Sequence, residues 1–137
     1  MAAKRKKSNR TPKRCKHVSR KLVGFECLTR SKLEYDYMQL LDSNDCIAAY
    51  VYEPFGIPYR VGKRTRVYWP DVAVLTKAGK LYIVEIKPTS RLKKVGVIKK
   101  SKFAEAWCRW NNAVYIFATD GMIAKNECGI RDGLRRV

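Results

Sequence analysis

Apolar residues along the chain fall into two periods. In some stretches they recur every three or four positions, as on one face of a helix, and in others they alternate or run together in short blocks broken by Pro and Gly, as in strands. The first helical stretch opens at Ser31-Lys32-Leu33-Glu34, a capping box in which Ser31 caps the first turn and Glu34 reaches back. Leu33, Tyr37, Leu40 and Leu41 form its buried face and Asn44 its stop. Glu34 lies beside that face, so it points toward the body of the protein. Residues 47–53 read as a strand ending at Pro54, and residues 55–61 as another, with Pro58 marking an edge or irregular position. After the Gly62-Lys63-Arg64 turn, residues 66–76 and 80–87 read as the two arms of a hairpin. A second helix is predicted over residues 101–110 with Phe103, Ala106, Trp107 and Trp110 as its face. Residues 113–118 are continuously apolar, a strand covered on both sides, and a short helix follows Asp120-Gly121. Helix, three or four strands, helix, strand: this order predicts an α/β fold with a mixed central sheet flanked by helices.

Charge narrows the class of partner. The 137 residues carry 30 Lys and Arg against 12 Asp and Glu, a formal net charge of +18. Such an excess opposes compaction and favours a polyanion. No apolar run approaches the roughly 18 residues that span a bilayer, and no signal-peptide segment opens the chain, so nucleic acid is favoured over membrane. Residues 1–21 hold Lys4, Arg5, Lys6, Lys7, Arg10, Lys13 and Arg14 and no acid, which predicts a flexible phosphate-binding arm. Arg60, Lys63, Arg64, Lys93, Lys94, Lys99, Lys100 and Lys102 are further candidate phosphate contacts, and Trp69, Trp107 and Trp110 candidate base-stacking side chains. Five scattered cysteines suit reduced thiols and a cytoplasmic setting. A zinc site from Cys15, His17 and Cys27 lacks a CxxC pair and a second His.

The chemistry sits in the hairpin. Side chains alternate along a strand, so Glu85 and Lys87 share one face, and an antiparallel pairing centred on Ala78 sets Asp71 opposite Glu85. Two carboxylates held a few ångströms apart in a poorly solvated place do not both ionise readily, and a bound cation removes the conflict. Oxygen ligands of this kind suit Mg²⁺ or Mn²⁺. Lys87 is placed to orient a water and offset charge developing on a phosphoryl group.

Pro70-Asp71, thirteen residues, then Glu85-Ile86-Lys87, preceded by a helical Glu34, resembles the PD-(D/E)xK nuclease superfamily. Ser31-Lys32-Leu33-Glu34, Glu53-Pro54-Phe55, Tyr68-Trp69-Pro70-Asp71 and Glu85-Ile86-Lys87-Pro88 together are most similar to the N-terminal nuclease domain of TnsA-type transposon endonucleases, related to phage junction-resolving and head-completion nucleases. The resemblance implies a restriction-endonuclease-like αβββαβ core over residues 22–137, Mg²⁺ dependence and hydrolysis of DNA phosphodiesters. By the motif, Asp71, Glu85 and the Ile86 carbonyl would be metal ligands, Lys87 the water-positioning residue, and Glu34 a further acid acting on metal or water. TnsA-type proteins continue into a second domain, so for this length the expectation is a free-standing, phage-encoded nuclease, cytoplasmic or virion-associated, that takes branched DNA or serves packaging or transposition. Paired cuts would call for a homodimer or a partner subunit. The competing expectation is a DNA-binding or head-completion protein that keeps the nuclease fold without cleaving; the complete acid set favours the enzyme.

Overall fold

The computed structural model describes residues 14–131. In chain order the elements are β1 (Cys15–Val18), β2 (Glu26–Thr29), α1 (Lys32–Ser43), β3 (Ile47–Tyr52), β4 (Ile57–Val61), β5 (Arg64–Tyr68), β6 (Val72–Thr76), β7 (Leu81–Ile86), α2 (Val95–Trp110), β8 (Ala113–Ala118) and α3 (Asp120–Ala124). Four strands form one mixed sheet in the order β3-β6-β7-β8, antiparallel except for the parallel pair β7 and β8. A parallel pair needs a crossover, and α2 supplies it. Strands β1 and β2, and β4 and β5, form two separate antiparallel hairpins.

Alternation along β6 and β7 divides the core. Val72, Val74, Tyr82, Val84 and Ile86 pack with Tyr37, Met38 and Leu41 of α1 on one face. Ala73 and Ile83 pack with Cys108 of α2 on the other, where Ile57 and Tyr68 of the β4–β5 hairpin meet Ala104. The result is the expected α/β arrangement, a mixed sheet between helices. Ser31 is extended and its hydroxyl accepts the Glu34 N–H at 3.1 Å, satisfying one free donor at the start of α1, while Asn44 ends that helix. No helix among the described residues is long and apolar enough to cross a membrane.

Several elements differ from the sequence expectation. The arm predicted over residues 66–76 is broken at Pro70, which has no N–H to donate, so β5 pairs with β4 and only β6 joins the central sheet. Helix α2 starts at Val95, inside the basic run. Its buried positions are the small Ala104 and Cys108, which let the helix lie close to the sheet; Trp107 is half-buried against Phe55, whereas Phe103 stacks on Tyr59 and Trp110 is 88% exposed. Strand β8 is half-buried along most of its length because it forms the sheet edge. Of the arm expected over residues 1–21, Lys4, Arg5, Lys6, Lys7, Arg10 and Lys13 lie outside the described residues, and Cys15–Val18 is strand. His17 is buried there, its Nε2 2.9 Å from Tyr50 Oη and 3.0 Å from Asp42 Oδ2. Cys15 and Cys27 are free thiols.

Candidate active site

The β6–β7 ladder pairs Val72 with Val84, Ala73 with Ile83, Val74 with Tyr82 and Leu75 with Leu81. This register is centred on Ala78, as the alternation requires, and the turn closes through Gly79, whose φ of 91° suits a residue without Cβ. Continued by one step, it sets Asp71 against Glu85 on the face covered by α2. Asp71 stands where the chain leaves Pro70 and enters β6. Its carbonyl accepts the Glu53 N–H at 2.7 Å, and its Oδ2 accepts the Ile86 N–H, also at 2.7 Å. A side-chain oxygen thus takes a main-chain donor of β7 just beyond the last β6–β7 pair.

Glu85 is 7% exposed. One of its oxygens accepts a short hydrogen bond from the Tyr68 hydroxyl, and the other lies 3.1 Å from Lys87 Nζ. The Tyr68 and Tyr115 hydroxyls are 3.0 Å apart, which completes a chain of polar contacts beneath the acid. Asp71, Glu85 and Lys87 line one cavity of about 560 Å³, together with Arg30, Glu53, Tyr68, Trp69 and Lys100.

Burial pushes the Asp71 carboxyl well above the usual carboxylate range, the nearby Glu85 and the more distant Glu34 add to the rise, and the Ile86 N–H and Lys87 oppose it. Burial likewise raises the Tyr68 and Tyr115 phenols, so both hydroxyls keep their protons at neutral pH. Glu34 is 8% exposed, and its Oε1 accepts the Arg30 N–H at 2.8 Å and the Tyr52 hydroxyl at 2.7 Å. It reaches back as a capping box requires, but to Arg30 rather than to the cap residue itself. Arg30 in turn pairs with Glu53, Nη2 to Oε2 at 2.8 Å, beside the cavity.

Among the described residues no three His, Cys, Asp or Glu side chains gather closely enough to hold a metal by themselves. A pair of buried carboxylates fits a hard divalent cation that keeps several waters and takes only one or two protein acids, and it fits a cysteine- or histidine-rich zinc centre poorly. Glu34 touches Asp71 electrostatically and stands outside that pair.

Arg14, Arg60, Lys63, Arg64, Lys93, Lys94, Lys99, Lys100 and Lys102 are all exposed, and of these Lys100 lines the cavity. Sequence reasoning overlooked the hydroxyl partners Tyr68, Tyr115 and Tyr52 and the Arg30–Glu53 pair. The available signal was the position of Tyr68 on an apolar strand beside the motif, since a buried tyrosine hydroxyl needs a partner. A protein-family model described as TnsA-like endonuclease N terminal matches residues 44–120, a span that includes Asp71, Glu85 and Lys87 and begins after Glu34. No curated protein matches the chain.

Proposed function

Because the chain belongs to the family of TnsA-like endonuclease N-terminal domains, we propose that it is a divalent-metal-dependent endonuclease that hydrolyses DNA phosphodiesters in the cavity between Asp71, Glu85 and Lys87. The observation that carries this reading is the meeting of Asp71 and Glu85 across one hairpin, with Lys87 3.1 Å from Glu85. A pure DNA-binding surface gains nothing from two buried acids, which repel the phosphates it must hold.

Mg²⁺ or Mn²⁺ would be held by Asp71 and Glu85, and it would supply Lewis-acid polarisation of a phosphoryl oxygen and an acidified water. A strand residue projects its N–H and C=O to the same side, so the Ile86 carbonyl faces the Asp71 side, where its N–H already binds the Asp71 carboxylate. It would be the third protein oxygen available to the cation. Tyr68 fixes the Glu85 carboxylate in one orientation through its hydroxyl. Lys87 orients the attacking water and offsets negative charge that grows on the phosphate in the transition state. Glu34, held by Tyr52 and the Arg30 N–H, adds negative potential that strengthens cation binding at Asp71.

Lys100 and Arg30 at the rim, and the exposed cations of the β4–β5 turn and of α2, bind backbone phosphates without reading bases. One such site cuts one strand, so paired cuts need a second copy or a partner subunit. The test is supercoiled plasmid incubated with purified protein in Mg²⁺, in Mn²⁺ and in chelator. Nicked circles that appear only with metal support the enzyme. DNA that is shifted in mobility but uncut at every protein level sinks it and leaves a binding protein with a nuclease fold.

A further inference from the structure

The three tryptophans occupy different settings. Trp107 is half-buried against Phe55, and Trp110 is exposed at the end of α2 and away from the acids. Trp69 is 57% exposed and lines the same cavity as Asp71, Glu85 and Lys87. Its seat is built by the β4–β5 hairpin. Ile57 pairs with Tyr68, so the next step brings Gly56 opposite Trp69. A Cβ on Gly56 would stand 2.4 Å from Val67 Cγ1, and 3.1 and 3.2 Å from Trp69 Cε2 and Cζ2. The missing side chain at position 56 is what allows Val67 and the indole to close over that strand. Pro70 follows at once and restricts the Trp69 backbone. The rest of the indole faces solvent at the cavity rim, with Arg30 and Lys100 lining the same cavity.

Scattered exposed apolar residues need no explanation. A seated indole in a cavity also lined by Lys100 and the Glu53-paired Arg30, two residues before a buried acid, combines what single-stranded nucleic-acid sites use: a π-face for a base and positive charge for the backbone. In a regular duplex each base is already stacked on its neighbours and offers no free face. We propose that Trp69 is a nucleobase-stacking subsite of this cavity, so that the DNA it takes carries an unstacked nucleotide, as at a bulge, gap, flap or branch point, beside the phosphate at the acids. This deepens the nuclease reading and rests on it only for what happens at that phosphate.

Binding is measured by fluorescence anisotropy in chelator, where no cleavage intervenes, with three labelled DNAs of equal length: fully paired, with one unpaired central nucleotide, and with an abasic residue at that unpaired position. Wild type binds the unpaired-base DNA more tightly than the other two, and Trp69→Ala removes that preference with a loss of about 5-fold to 100-fold on that DNA alone. Trp69→Phe keeps part of it. Gly56→Ala, which leaves the indole present but displaces Val67 and crowds the ring against which it packs, weakens the preference in the same direction. Equal losses on all three DNAs, or no loss on any, overturn the proposal. The plasmid assay is separate: a wild type that prefers the unpaired base but never nicks would sink the nuclease reading and leave the stacking subsite standing, and a metal-dependent nickase with no such preference would do the reverse.

Discussion

Replacing Asp71 by Asn should abolish cleavage and, in chelator, make the protein more stable. Asparagine is nearly isosteric, and its carbonyl oxygen can still accept the Ile86 N–H now bound at 2.7 Å. What the change removes is an acid that beside Glu85 must either bear its charge or retain a proton. Side chains directly opposite on antiparallel strands stand about 5 Å apart. At an effective dielectric constant of about 20, two unit charges at that distance repel by about 3 kcal/mol. Lys87, 3.1 Å from Glu85, already cancels part of this. Asp71, pushed up to about 8, avoids most of the rest at neutral pH by keeping a proton that the unfolded chain gives up. Relief from that retained proton is the expected gain for Asp71→Asn, about 1–3 kcal/mol. The pH dependence gives the sharper check. Burial and Glu85 raise the Asp71 carboxyl in the folded protein, so above roughly pH 4, the ordinary Asp value, the folded state holds a proton that the unfolded chain has lost. Wild-type stability therefore falls as pH rises through that window, at up to about 1.4 kcal/mol per unit, and the fall stops above the raised folded value. The variant lacks this slope. Urea unfolding of both proteins in chelator at a series of pH values should show a gap that is small near pH 4 and widens toward neutrality. Added Mg²⁺ at about 100 times its dissociation constant should return about 2.7 kcal/mol to wild type and little to the variant. A variant less stable than wild type at neutral pH in chelator, or a gap independent of pH, would refute the assignment of Asp71 and Glu85 as a mutually repelling acidic pair.

Two further substitutions separate scaffold from chemistry. Glu34→Gln can still accept from Arg30 and Tyr52, so the protein should fold with α1 intact by circular dichroism while plasmid nicking drops sharply; full nicking would reduce Glu34 to a cap. Tyr68→Phe leaves one buried Glu85 oxygen without its hydroxyl donor and should lower stability in chelator by about 1–3 kcal/mol, with weaker Mn²⁺ binding by calorimetry; an unchanged Mn²⁺ affinity would remove Tyr68 from the positioning of Glu85.

The features legible in the sequence were those governed by period and by local chemistry. Alternation across residues 71–87 fixed which side chains share a face, and a turn centred on Ala78 followed from it; the observed ladder has that register. Ser31 announced the start of α1 because a cap is satisfied within three residues. What stayed hidden depends on contacts distant in sequence or on small residues. Nothing in the spacing says that the Tyr68 hydroxyl meets Glu85 and Tyr115. The face of α2 was misread because its sheet-facing positions are Ala104 and Cys108, while the conspicuous Phe103 and Trp110 lie outside it. A lysine-rich composition masked the first turns of that helix, and likewise β1, whose inward residue is the polar His17, held by Tyr50 and Asp42 at its Nε2 and edge-on to the Tyr35 ring.

The Asp71 carboxylate bound to the Ile86 N–H also bears on the order in which the molecule assembles. That contact spans 15 residues, whereas Tyr68 reaches Tyr115 across 47. A local hairpin closes in about 1–10 μs, and a parallel strand that follows a crossover helix comes later. The two acids are therefore expected to meet while the hairpin is still open to water, where their repulsion is screened. Docking of α2 and β8 then shuts out solvent, and at that late step Asp71 must take up a proton or meet Glu85 with little screening. A cation present during folding would act on this last docking step, so Mg²⁺ should slow unfolding more than it speeds the first collapse.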